Sequence, residues 1–155
     1  MPGCILRIAS RNRNLDDLID ALGVELIAVF RKGQKPFPSS TRVHTRSGFN
    51  VVVSEARGAA IAKQDRDAVR FIERNSAGLK RLRRCRSFKG MELDFGFYDL
   101  TTTERIWPSY RLSHELIELA GKHRIGIVLS FYGPIPKSWR PPRGKDAHRN
   151  RSETA

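Results

Sequence analysis

Glu92 and Asp94 stand two residues apart in a stretch, residues 91–98, where apolar and polar side chains alternate. Alternation predicts a strand with Leu93, Phe95 and Phe97 on one face and Glu92, Asp94 and Tyr98 on the other. Same-face neighbours on a strand lie about 7 Å apart, a separation that suits paired carboxylates. The plainer reading is a salt-bridged, solvated sheet face. Arg7 supplies a counter-charge if the first and fourth strands are neighbours.

Other reactive side chains are scattered. Cys85 lies among Arg83, Arg84 and Arg86, and neighbouring positive charge is expected to lower its thiol pKa. The bland alternative is a small helix residue that happens to sit between arginines. His114 follows Ser113 at a helix start, where it could act as a general base or simply be an exposed first-turn residue. His44, His123, His148 and Cys4 show no metal-ligand spacing, so no metal is expected. Phosphate-loop and dinucleotide glycine patterns are absent, as is a nucleophile elbow. No cofactor is expected.

The strongest charge feature is the run 80–89, which holds Lys80, Arg81, Arg83, Arg84, Arg86 and Lys89 and no acid. Such a run can neutralise phosphates, each contact releasing counterions. Arg11 with Arg13, and Arg31 with Lys32 and Lys35, form smaller groups. The chain carries a formal net charge of +13. The tail from Lys137 holds six basic and two acidic residues, so nine of those charges stay on the body. Arginine supplies 21 of the 29 basic residues, which favours forked contacts to phosphate or carboxylate.

The elements that must carry these groups follow from hydrophobic period and punctuation. Residues 4–9 and 25–31 read as the first two strands. Between them Leu15, Leu18, Ile19 and Leu22 mark one helix face, with Asn14 as N-cap and Gly23 as terminator. Residues 32–48 form a long loop rich in Pro and Ser, of the kind that often carries function. A third strand covers 49–55. A long polar helix runs from about 63 towards 85 and buries Val69, Ile72, Leu79 and Leu82, with Gly78 as a possible break. After the strand at 91–98 comes a second loop, 99–111. Ser113 caps a helix carrying Leu116, Ile117, Leu119 and Ala120, and a fifth strand spans 124–132.

With 155 residues, 39% hydrophobic, the chain holds about one domain. Residues 1–133 are expected to form an α+β domain and residues 134–155 a basic, Pro/Arg-rich, disordered tail. The start has no basic region followed by an apolar one, so no signal peptide is expected. Two cysteines make no disulfide framework, and a cytoplasmic location away from membranes is the default. The order β-α-β-β-α-β, then α-β, predicts a ferredoxin-like unit extended by a C-terminal helix and strand. Its sheet would be largely antiparallel, with helices on one face. Arg7, Glu92, Asp94, Tyr98, Ser130 and Tyr132 then fall on the open face.

The opening Cys4-Ile5-Leu6-Arg7-Ile8, the first amphipathic helix and Val29-Phe30-Arg31-Lys32-Gly33 resemble a bacterial family of domains of unknown function, catalogued under the number forty-two seventy-nine. A helix ending near Leu82, the strand at 92–98, Leu112-Ser113 with Glu115-Leu116, and a closing Phe131-Tyr132 extend the likeness over residues 4–133. The chain departs from that pattern at Ser47-Gly48-Phe49, where members often carry a tryptophan. The resemblance implies a fold and supplies no catalytic residue.

Three functions remain open. One is a non-catalytic protein-binding domain, of immunity or accessory type, that docks on an acidic partner. Another is nucleic-acid binding through the 80–89 run and the tail. A third is a small-molecule site on the open sheet face, around Arg7, Glu92, Asp94 and Tyr132. Phe95 and Phe97 are expected in the core, so they do not form the exposed aromatic pair of an RNA-recognition strand.

Overall fold

The structure, a computed structural model, describes residues 2–56, 60–98 and 110–132, with Tyr98 described by its backbone alone. The tail and most of the 99–111 loop lie outside the described residues.

In chain order the elements are β1 (Cys4–Ser10), α1 (Asp16–Leu22), β2 (Ala28–Phe30), β3 (Ser47–Ser54), α2 (Ile61–Arg74), α3 (Ser76–Arg84), β4 (Phe88–Tyr98), α4 (His114–His123) and β5 (Gly126–Tyr132). The strands form one five-stranded sheet in the order β2-β3-β1-β4-β5. Every pairing is antiparallel except β4 with β5, which is parallel.

Alternation along β1 decides the architecture. Cys4, Leu6 and Ile8 are fully buried, while Ile5, Arg7 and Ala9 are only partly covered. Leu6 stands opposite Val51 and Leu93, and Ile8 opposite Phe49 and Met91, so one sheet face is apolar. All four helices contribute to the same buried cluster, through Leu18, Ile72, Leu79, Leu82, Leu116 and their neighbours. Each such side chain contributes about 1.5–3 kcal/mol. Phe95 and Phe97 belong to this core, as the sequence predicts. Among the described residues no helix lies on the opposite sheet face.

Three local expectations shift. The helix expected over 63–85 is two helices, broken at Asn75 rather than at Gly78. The Asn75 side-chain amide donates to the Phe71 carbonyl at 2.8 Å, a local bond that competes with the helix ladder. Gly78 instead allows close helix contact, since a Cβ there would come within 2.9 Å of the Leu22 carbonyl oxygen. The second strand is shorter than residues 25–31: only Ala28–Phe30 keep register with β3, while Val24 and Leu26 pack against the core. In α1 the cap position is Leu15. Asn14 still serves the helix start, because its Oδ1 accepts from the Asp16 amide at 3.0 Å.

Candidate anion-binding site

The loop between β2 and β3 closes on itself. Gly33, with φ +85, donates its amide to the His44 carbonyl, and His44 donates back to Gln34. Ser40 bonds to Arg42 in both directions. The chain therefore returns to the sheet at His44, bringing Thr45 and Arg46 beside Lys32. The Lys32 amide is held by the hydroxyl of buried Ser47 at 3.0 Å.

Two further buried serines fix the facing segment. Ser10 Oγ donates to the Ser87 carbonyl and accepts from the Asn12 amide, and the Arg11 amide also bonds to the Ser87 carbonyl. Ser87 Oγ in turn donates to Asp17 Oδ2. This ties the turn carrying Arg11 and Arg13 to the start of β4. There the register slips: Ala9 pairs with Gly90 but Ser10 pairs with Phe88. Lys89 is the residue left unpaired, and a bulge of this kind re-aims the side chain it contains.

The outcome is a depression of about 290 Å³ lined by Ser10, Arg11, Arg13, Lys32, Thr45, Arg46, Ser47 and Lys89. Five cations from three separate segments meet there, all exposed, and among the described residues no acid lines it. It shares Thr45, Arg46 and Lys89 with a larger depression of about 470 Å³ on the open sheet face. Arg7, Phe30, His44, Asn50 and Glu92 line the latter. Converging guanidinium and ammonium groups with hydroxyls between them can hold the oxygens of phosphate or carboxylate groups.

The expected 80–89 surface is divided. Arg81 Nε donates to the Ala21 carbonyl at the end of α1, and Arg83 Nη1 donates to the Lys122 carbonyl at the end of α4. Both act on helix C-termini, where orphan carbonyls and the dipole favour a cation. Lys80, Arg84 and Arg86 are exposed and line neither depression, so Lys89 alone of this run reaches the groove.

The expected open-face group is brought together in part. Arg7 stands opposite Glu92 in register, and its Nη2 forms an ion pair with Asp94 Oδ2. Ser130 Oγ donates to Asp94 Oδ1 at 2.5 Å. Asp94 is 4% exposed, so the carboxylate serves as a bridge between strands rather than as a presented acid. Tyr132 ends β5 and is 44% exposed.

The remaining titratable candidates take structural places. His114 is exposed. His123 is buried, with Ser76 Oγ 3.3 Å from its Nε2. Burial, then Lys122, Lys80 and Arg83, holds its pKa below the ordinary histidine value. The expectation of a lowered Cys85 thiol pKa is corrected: burial and then Asp17 push it up, and its Sγ contacts the Asp17 and Arg81 carbonyls. Burial, then Asp94 and Asp67, pushes the Cys4 thiol well above the ordinary range. Among the described residues no three His, Cys, Asp or Glu side chains gather as a metal site, and no helix is long and apolar enough to cross a membrane.

Arg46, Phe30 and Asn50 join the site without having been singled out by sequence. Arg46 stands between Thr45 and Ser47 with no charged neighbour, so no local pattern marks it. Comparison of the chain with protein-family models, with curated proteins and with solved structures gives no match.

Proposed function

We propose that this protein is a non-catalytic binding protein that takes up nucleic acid through the groove formed by Arg11, Arg13, Lys32, Arg46 and Lys89. One observation carries the reading: five exposed cations from three segments line one depression that takes no acid from the described residues. A chain of phosphates is a ligand whose charge such a cluster matches, and its binding is driven by counterion release. Among the described residues the groove itself is lined by no aromatic or aliphatic anchor of the sort that dominates protein interfaces. We also infer a ferredoxin-like plan extended by α4 and β5, which the strand order β2-β3-β1-β4 supports. Membership of family forty-two seventy-nine is proposed on the residues quoted above.

A second reading keeps the acidic protein partner of an immunity-type or accessory domain. It is favoured by Phe37 and Val43, exposed apolar side chains on the loop that carries Lys32 and Arg46. One experiment separates the two. Fluorescence anisotropy is followed at low salt with a labelled single-stranded oligonucleotide and with a labelled polyglutamate peptide of equal charge. The nucleic-acid reading expects tighter binding of the oligonucleotide, lost on reversing Arg46 and Lys89 to glutamate. Preference for the peptide would favour the protein partner, and binding of neither would remove both.

A further inference from the structure

The larger depression has a shape that the basic groove alone does not explain. Register places Gly48, Ala9 and Gly90 side by side across β3, β1 and β4. Ala9 and Gly90 floor a trench on the sheet face away from the described helices, and Gly48 lies beneath the Phe30 ring. A Cβ at Gly90 would meet nothing within 4 Å, so the trench is open space. Gly48 does the opposite work: a Cβ there would run into the Ile8 carbonyl oxygen and lie 2.8 Å from the Phe30 ring, so glycine lets both the neighbouring backbone and that ring come close. Phe30 and His44, with ring centroids 5.1 Å apart, form an aromatic wall at one end. The next row across the sheet, Asn50, Arg7 and Glu92, is polar throughout.

Two atoms in that polar row are left over by the fold. Arg7 Nε and Asn50 Oδ1 are buried and have no hydrogen-bond partner. An uncommitted buried donor or acceptor is unfavourable, so a ligand that engages it removes that penalty. Both atoms are covered, and Arg7 also holds Asp94, so engagement asks the Asn50 side chain to turn toward the trench while Arg7 keeps its ion pair.

We propose that this trench receives one unpaired nucleobase, and that the ligand of the adjoining groove is therefore single-stranded. The inference rests on the nucleic-acid reading above and names the form of the ligand. A flat ring laid on Ala9 and Gly90 meets the Phe30 and His44 wall, with the Asn50, Arg7 and Glu92 side chains at its edge. Unstacked bases are held in this way, by aromatic contact together with hydrogen bonds to their edges. Arg46 and Lys89 line both depressions, so the phosphate leaving the base passes directly to the cationic row.

The test compares two labelled six-residue phosphodiester strands of equal length and charge, one carrying bases and one abasic, by anisotropy on the full chain at low salt. The wild type is expected to bind the base-bearing strand at least about fivefold more tightly. Gly90→Leu fills the trench from a position where a side chain meets no neighbour, and it is expected to bring that ratio close to one. Phe30→Ala is expected to reduce the ratio independently, and circular dichroism verifies that each variant is folded. Equal binding of the two strands by the wild type, or an unchanged ratio in folded Gly90→Leu, overturns the base site while leaving the groove in place. Absence of binding to either strand overturns both.

Discussion

Arg7 and Asp94 form an ion pair across the β1–β4 pairing, on the sheet face away from the described helices. Ser130 on β5 satisfies the other carboxylate oxygen, so one buried acid links three adjacent strands. Asp94→Ala leaves the arginine and the serine without their acceptor. It should lower unfolding free energy by about 2 kcal/mol, discounted because the Arg7 side chain is partly exposed. Ser130→Ala should cost about 1 kcal/mol. Urea denaturation at neutral pH reads both, and an Asp94→Ala midpoint equal to wild type would contradict the role.

His123 makes stability depend on pH. Its folded pKa is depressed below the unfolded value near 6.5, first by burial and then by Lys122, Lys80 and Arg83. Above both values the ring is neutral in either state and the contribution is complete. As pH falls through the unfolded value, the unfolded chain binds a proton that the folded chain refuses, and stability drops. Thermal melts between pH 7.5 and 5.5 should show a fall in Tm that is shallower in His123→Gln. Parallel curves for the two proteins would refute the assignment.

Gly78 sets how closely α3 approaches α1. Alanine there gains about 1 kcal/mol of helix propensity. Its Cβ, however, would sit 2.9 Å from a backbone oxygen of Leu22, which cannot swing away as a side chain can. Overpacking of this kind costs about 1–3 kcal/mol, so Gly78→Ala should come out neutral to destabilising. A clear rise in denaturation midpoint would show that the helices separate freely.

Both thiols should be sluggish. Cys4 is fully buried and Cys85 is partly covered, and burial pushes each pKa up. Reaction with a disulfide reagent at pH 7.5 should be slow for Cys85. Cys4 should react only as the chain unfolds. Rapid labelling of Cys85 in the folded protein would restore the activated thiol that its arginine neighbours alone imply.

Much of the scaffold is legible in the chain because its signals are local. Leu15, Leu18 and Leu22 at helical spacing are all buried, and the alternation of Leu93, Phe95 and Phe97 marks the core side of β4. Ser113 caps α4 through its hydroxyl, which accepts from the Leu116 amide. The site is far less legible, because it is assembled by register. Arg11, Lys32, Arg46 and Lys89 are spread over most of the first ninety residues, and only the strand order and a bulge unite them. The densest basic run misleads for a related reason. Arg81 and Arg83 are spent on the carbonyls of helix ends that sequence distance hides.

Anionic chains are expected to bind along the Arg11–Lys89 groove rather than along the exposed cations of α3. The most direct measurement is the slope of log affinity against log salt for a single-stranded oligonucleotide. Each phosphate contact contributes about −0.7, so engagement of most of the groove predicts a slope of about −3. Arg46→Glu with Lys89→Glu should flatten that slope by about 1.4, the share of two contacts. Lys80→Glu with Arg84→Glu should leave it as in wild type. A slope near zero, or one flattened by the α3 pair and untouched by the groove pair, would contradict the account.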